Sequence, residues 1–514
     1  MAAIVASAFA AIASIHLAAQ GLYYDELHQA PAAFALLGRR PELFSGISLG
    51  RIPLLNMSYS GALKSFLYGT WMRLTESSFS VESWRALGIA FSALGLVVLL
   101  GYGAARLPLR TRAMLGVLLL TDTSLILMSR HDWGPVALSF LLRCAAVSLW
   151  LRVETDDRPV GWRAAGMGVL LALAVFEKLS SVAFALAFAL LIFANRGLRS
   201  LVALRSFFLG GLLGSLPLAL VNVLSMLRNG RAISLEGIGA YVRLWSNFPR
   251  WAWGYLSLGS GDEALSWILD EHAPGALSIL GTISLLAGVL AAGCLVVWGQ
   301  RWARLAALAG LAWLMTGVGI WLLPKPTWFY HYILGTPFQY LALALAVAPT
   351  EDRVQQARAT QMVRPVALAC ALTVVLTNGY GTFRLVGLLR EERTNHRFSP
   401  DLTALGAAAA HRGPESIFLA ADWGVATQVY CLSDGHLDVR ELFWNYSGTA
   451  DLIAQLANHN VAFVIGLNPP SGVAKDARRG ILNDMGALRG WIPAPVDADL
   501  HLRDVEVHKF VRER

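Results

Sequence analysis

Charge is what this sequence lacks most. Asp, Glu, Lys and Arg make up 15% of its 514 residues, where a soluble domain carries about 25%. The deficit runs through most of the length, which excludes a soluble body held by one anchor. Cysteine is sparse too, at four residues, too few for a disulfide framework. Cys144, Cys294 and Cys370 lie in apolar runs, Cys431 stands alone in a polar tail, and none has a metal-like spacing. That tail has no nucleotide-binding glycine loop, no GxSxG and no HExxH. No internal repeat is visible.

What is abundant is apolar surface. Hydrophobic residues form 56% of the chain, against roughly 45–50% in a soluble protein. The net charge of +8 would suggest nucleic acid in a soluble chain. Here the arginines sit between apolar runs, where loops meet anionic headgroups, so the partner is the bilayer and not nucleic acid. Residues 1–20 lack a basic n-region and are followed by further apolar runs, so they read as a first span rather than a signal peptide.

A spanning helix needs about 20 mostly apolar residues, and on that measure the chain has about eleven spans. They fall near 2–20, 84–104, 113–129, 134–151, 162–177, 179–195, 202–226, 274–298, 303–323, 328–348 and 366–386. Short loops carry Arg106, Arg110 and Arg112, then Arg152, Arg158 and Arg163, then Arg196, Arg199 and Arg205, then Arg301 and Arg304, then Arg353, Arg358 and Arg364. The positive-inside rule puts these in the cytoplasm, with the N-terminus inside and the C-terminus outside. Two longer loops, 21–83 and 227–273, face out and are rich in aromatics such as Tyr23, Trp71, Trp84, Trp245 and Trp251. Residues 59–73 are too short to span and read as an interfacial helix. The expected division is a membrane domain over 1–390 and a soluble α/β domain over 398–514, with strands at 417–421 and 461–467 and helices around 402–411, 450–458 and 479–488. Asn445-Tyr446-Ser447 matches a glycosylation sequon, a triplet common by chance.

The candidate chemistry lies at the outer ends of spans. Asp25-Glu26, in YYDELHQAP, directly follows the first span. Carboxylates there are costly unless solvated, paired or functional. A carboxylate at this depth can act as general base toward a hydroxyl; the alternative is a helix-flanking pair in water. Asp132, in SRHDWGPVAL, stands beside Arg130 and His131, and a structural salt bridge is its competing reading. Lys64, Lys178, Lys325 and His331 fall on the same predicted face. Together they suit a lipid phosphate, and singly each reads as a snorkelling headgroup contact. Asp262-Glu263 and Asp270-Glu271-His272 are expected to be solvated loop residues.

In order and spacing this set resembles the membrane-embedded GT-C glycosyltransferases, nearest to glycosyltransferase family 39 with its protein O-mannosyltransferases and aminoarabinose transferases. The resemblance covers residues 15–350. Asp25-Glu26 matches the family's acidic pair in the first outer loop, and Lys64 its lysine in the following amphipathic helix. Arg85 in ESWRAL opens the second span, Asp132 follows Ser-Arg, Lys178 lies between the fifth and sixth spans, and His331-Tyr332 opens a late span in HYILGTP. Leu63-Lys64-Ser65 departs from the family's Lys-Pro-Pro, and Lys178 is followed by Leu-Ser where Gly-Pro is usual.

The resemblance implies inverting transfer of a sugar from a polyprenyl phosphate to an acceptor hydroxyl of a protein, lipid or glycan. Asp25 would be the general base, with Glu26 and Asp132 shaping the site. Lys64, Lys178, Lys325, His331 and Tyr332 would contact the donor phosphate, and Arg85 would be structural. A divalent metal is left open, since no His/Asp spacing demands one. Alanine- and arginine-rich usage points to a bacterial plasma membrane, with the tail outside the cytoplasm. The competing classes are a lipid or solute transporter, which would show inverted repeats and mid-membrane ionisable residues, and an inactive assembly subunit.

Overall fold

The computed structural model describes residues 1–39, 46–155, 161–196, 201–235, 245–296, 301–324, 327–349, 358–444, 446–471 and 474–513. Lys325 and Asn445 lie outside them. The chain divides into two compact units. The first comprises Met1–His16 and Arg85–Glu391, and the second Leu17–Trp84 and Glu392–Arg514.

The first unit is helical. A helix lies in each of the eleven apolar stretches, from Ala2–Ala13 to Arg358–Arg390. Four segments are long and apolar enough to cross a bilayer, namely Val81–Arg106, Gly275–Leu295, Trp302–Trp321 and Met362–Arg390. Two bent pairs, Leu109–Leu120 with Thr123–His131 and Leu201–Gly214 with Leu216–Asn229, raise that to six by length and composition among the described residues. The other helices are shorter or carry more charge than a full span, so the expected count of about eleven rests on pattern rather than on helix length. The breaks have local causes. Asp122 caps the second half of the first pair, its carboxylate accepting from the Leu125 amide at 2.8 Å. Its other oxygen accepts from the Tyr340 hydroxyl at 2.8 Å, so a buried carboxylate at a helix break is satisfied from two sides. Ser215 and Pro217 start the second half of the other pair, where proline fits the first turn.

The second unit joins the first outer loop to the C-terminal tail. Its outer-loop part holds a three-stranded antiparallel sheet of β1 (Ile47–Leu49), β2 (Ile52–Met57) and β3 (Ser60–Gly61), followed by the helix Leu63–Thr75. Its tail holds β4 (Ser416–Ala420), β5 (Asp438–Glu441), β6 (Val461–Leu467), β7 (Trp491–Ala494) and β8 (Val505–Arg512), ordered β5-β4-β6-β8-β7. The pairs β4–β5 and β4–β6 are parallel, and β8 runs antiparallel to both of its neighbours. β4 is buried at every position, as a strand covered on both faces should be. Ile417, Leu419, Val464, Leu452, Ile481 and Met485 form the centre of its core.

Hydrogen bonds tie the two parts of this unit. The Gly21 amide donates to the Phe398 carbonyl at 2.7 Å. Gln428 donates to the Leu22 carbonyl at 2.7 Å, and the Phe79 amide to Asp434 at 2.8 Å. A Cβ on Gly21 would lie 1.8 Å from the Ser399 carbonyl oxygen, so only glycine permits this approach. The helix Leu63–Thr75 buries Lys64, Ser65, Tyr68 and Met72 while exposing Phe66, Leu67, Trp71 and Leu74. An apolar stripe facing outward is what an interfacial helix presents. It begins later than expected, because residues 60–61 pair in a sheet.

Candidate functional site

The sequence-expected residues fall into two clusters, one in each unit. In the second unit, Asp25 and Glu26 occupy a single helical turn, Tyr24–Leu27. Glu26 is buried, and its carbonyl accepts from the Trp84 indole at 3.3 Å. Lys64 is also buried, with its ammonium 3.8 Å from the centroid of the Trp84 ring. A desolvated cation over tryptophan is worth about 2 kcal/mol, so Lys64 is packed in place and does not snorkel. Ser65, next along the helix, donates to the Gln29 carbonyl at 2.6 Å and fixes this helix against the chain that follows Glu26. Asp25 is only half-buried. Burial raises the phenols of Tyr23 and Tyr59 well above their ordinary range, with the Asp25 charge adding to the rise.

In the first unit, three loops meet: 130–137, 177–181 and 328–337. Asp132 adopts φ +43° at the end of Thr123–His131. Its Oδ1 accepts from the Ala137 amide at 2.8 Å and thereby caps the next helix. Lys178 is buried, donates to the Gly134 carbonyl and stands 4.9 Å from the Tyr330 ring centroid. Gly134 has φ +68°, and a Cβ there would lie 2.9 Å from the Lys178 ammonium. Both constraints select glycine. Trp133 stacks on Tyr330 at 5.6 Å and meets Phe329 edge-on at 5.1 Å, locking loops 130–137 and 328–337 together. His331 Nδ1 accepts from the Trp328 amide at 3.0 Å, which leaves Nε2 to carry the proton of the neutral ring. Tyr332 points elsewhere, edge-on to Trp251 at 6.1 Å and to Tyr255 at 6.2 Å.

Two arginines hold these loops, and sequence reasoning gave neither that role. Arg130 donates to the carbonyls of Ala13, Ile15 and His16 at 2.6–2.9 Å, clamping the end of the first helix. Arg143 sits wholly buried in the middle of Ala137–Thr155. It donates to the carbonyls of Ile333, Leu334 and Thr336 at 2.7–3.1 Å, where the backbone after Tyr332 is not α-helical. The signal for Arg143 was present: an ionisable residue within an apolar run is a functional candidate by default. Arg85 is buried as well.

The rival acidic clusters reach solvent as expected, with Asp270 and His272 exposed and Asp262, Glu263 and Glu271 half-exposed, and they also tie the segment 257–275. Asp262 accepts from the Ala273 amide at 2.8 Å, and Arg384 pairs with Glu271 at 3.0 Å. Among the described residues, no group of three or more His, Cys, Asp or Glu side chains is arranged to hold a metal ion.

No protein-family model matches the chain. No curated protein matches it either. Solved structures do match over nearly its whole length. ArnT from Cupriavidus metallidurans bound to undecaprenyl phosphate aligns with a TM-score of 0.56 at 10% identity, covering 98% of this chain and 97% of its own. The same enzyme in its apo state aligns with a TM-score of 0.55 at 11% identity, covering 97% and 95%. The arabinofuranosyltransferase AftD from mycobacteria aligns at 0.47 and 15% identity, over 99% of this chain and 40% of AftD. The chain shares its fold with ArnT, a body of apolar helices with a small C-terminal α/β domain.

Proposed function

We propose that this protein transfers a sugar from a polyprenyl-phosphate-linked donor to an acceptor hydroxyl at the outer face of a bacterial plasma membrane. The acceptor oxygen attacks the anomeric carbon, the bond from that carbon to the phosphate oxygen breaks, and the proton passes to the Asp25 carboxylate. A single displacement of this kind inverts the anomeric centre. The polyprenyl phosphate leaves with an added negative charge, which Lys178 and His331 would stabilise. Lys325 would be a further donor contact, and Glu26 and Asp132 would shape the site. Tyr332 packs on Trp251 and Tyr255 and would support the loop instead.

The observation that carries this reading is Lys178. A buried ammonium held by a backbone carbonyl and an aromatic face presents fixed positive charge beside a histidine at the end of a membrane helix. Leaving-group stabilisation of a lipid phosphate needs that and no nucleotide fold. The fold shared with a protein bound to undecaprenyl phosphate supports the same donor class.

The test is transfer from radiolabelled undecaprenyl-phosphate sugars by the full-length protein in lipid, for wild type and Asp25→Asn. General-base loss predicts a fall of about 10²–10⁴-fold with undecaprenyl phosphate binding retained. A folded wild type that transfers from no donor and does not bind undecaprenyl phosphate would sink the reading.

A further inference from the structure

The C-terminal edge of the five-stranded sheet carries a feature that none of the roles above uses. Ala420 at the end of β4 pairs with Glu441 at the end of β5, and the Leu442 amide donates to the Ala420 carbonyl at 3.0 Å. The two loops leaving these strands therefore start side by side. One carries Trp423 and the other Trp444, and their rings lie 6.4 Å apart. Open α/β sheets bind ligands outside the carboxyl ends of their strands.

From Trp423 a chain of ring contacts continues through the interior into residues 17–84 of the same unit. Tyr24 meets Trp423 edge-on at 5.2 Å, His28 lies 6.3 Å from Tyr24, and Tyr59 lies 6.4 Å from His28. Only its two ends are open, with Trp444 55% exposed and Tyr59 41% exposed, while Tyr24 and His28 between them are buried. Beside it, one buried oxygen of Glu441 has no hydrogen-bond partner among the described residues. An unsatisfied buried acceptor calls for a donor from outside the protein. Asp25 follows Tyr24 directly.

We propose that the Trp444 end of this chain of rings is a glycan subsite, in which the hydroxyl-rich acceptor of the transfer reaction lies with a sugar face on Trp444 and a hydroxyl donating to Glu441. The inference rests on the glycosyltransferase reading and names its acceptor class. Ring faces carry partial negative charge and attract the C–H groups of a sugar's apolar face. A carboxylate accepts from hydroxyls with charge-assisted strength. An aromatic platform with an acceptor at its rim answers both sides of a pyranose, whereas a lipid tail would leave Glu441 unsatisfied.

The test uses the full-length protein in nanodiscs, without donor. Mannotriose, arabinotriose and chitotriose are titrated while tryptophan fluorescence is followed, and undecaprenyl phosphate binding is measured on the same samples. At least one trisaccharide should give a saturable change in wild type. Trp444→Ala and Glu441→Gln should each weaken it tenfold or more, Trp444→Phe should retain most of it, and all three should bind undecaprenyl phosphate as wild type does. Trp444 is exposed enough that its loss should leave the melting temperature unchanged. Saturable binding that is indifferent to Trp444 and Glu441 overturns the subsite. So does the absence of any trisaccharide signal, or stronger binding of a Ser/Thr-rich peptide at the same residues. Because no donor is present, a protein that binds the trisaccharide but not undecaprenyl phosphate would break the donor reading and leave the subsite standing.

Discussion

The helical unit and the sheet-bearing unit both hold buried charges of both signs on leftover backbone groups, but the balance of signs differs. Asp122 and Asp132 sit on amides in the helical unit, and Arg478 sits on a carbonyl in the sheet-bearing unit. In the helical unit, three cations are held by backbone carbonyls. Arg130 takes Ala13, Ile15 and His16, Arg143 takes Ile333, Leu334 and Thr336, and Lys178 takes Gly134. Each group of carbonyls lies where the α-helix stops, which is where a chain of helices leaves acceptors unused. In the sheet-bearing unit a buried carboxylate does the equivalent work. Asp422 accepts from the Trp423 amide at 2.7 Å, from the Ser471 amide at 3.0 Å and from the Ser471 hydroxyl. Loops leaving the carboxyl ends of parallel strands present unused amides instead. The lesson is that the sign of a buried charge follows the backbone group left over by the local secondary structure.

That contrast can be broken experimentally. The largest effect is expected at Arg143. Replacing it with Met strands three carbonyls in a dry interior and should cost about 3–5 kcal/mol, read as a large fall in melting temperature in detergent. Lysine at this position supplies the charge without the fork and should restore only part of the loss. If Arg143→Met melts like wild type, the carbonyl clamp carries no weight.

Asp422→Ala comes next, at about 2–3 kcal/mol, because it frees the Ser471 and Trp423 amides together. Thermal melting followed by a signal from the sheet-bearing unit should shift, while undecaprenyl phosphate binding to the folded protein stays the same. Lys178→Met is the converse: it should weaken undecaprenyl phosphate about tenfold, or 1.4 kcal/mol, with a smaller change in melting. Equal affinity for the lipid in that variant would leave Lys178 with a purely structural role.

Glu441 gives the smallest and most specific effect. Burial pushes its carboxyl up to about 7 from an ordinary 4.5. The folded protein therefore holds this proton more tightly than the unfolded chain does. The resulting stability is fully present below about pH 4.5 and is lost as the pH rises through about 7. Stability should fall between pH 5 and pH 8 on this account, and Glu441→Gln should abolish that part of the slope. A slope that persists unchanged in the variant assigns the titration elsewhere.

Much of the fold was legible in the chain. Eleven apolar stretches each hold a helix, and the second buried strand was read with its observed limits, Val461–Leu467, because β-branched and aromatic runs bounded by polar residues have few other readings. β5, β7 and β8 were missed: β5 and β7 are four residues each, and β8 mixes charges such as Glu506, Lys509 and Arg512 into its pattern. At the candidate site, Asp25, Glu26, Lys64, Asp132, Lys178 and His331 could be named because ionisable groups at the ends of apolar runs stand out. Arg143 stood out equally but matched no partner nearby in sequence, since its acceptors lie about 190 residues away.

The sequence by itself determined that this protein lives in a bilayer, since no aqueous fold can bury so much apolar surface with so little charge. It also fixed where the ionisable groups fall along the chain. Only the tertiary structure decided which backbone atoms those groups serve, that Lys64 packs on Trp84 while Lys178 packs on Tyr330, and that residues 17–84 fold with the tail. The physical reason is one of range. Periodicity and burial act over a few residues, whereas the carbonyls freed at helix ends and the rings that receive a lysine are brought in from as far as 193 residues away.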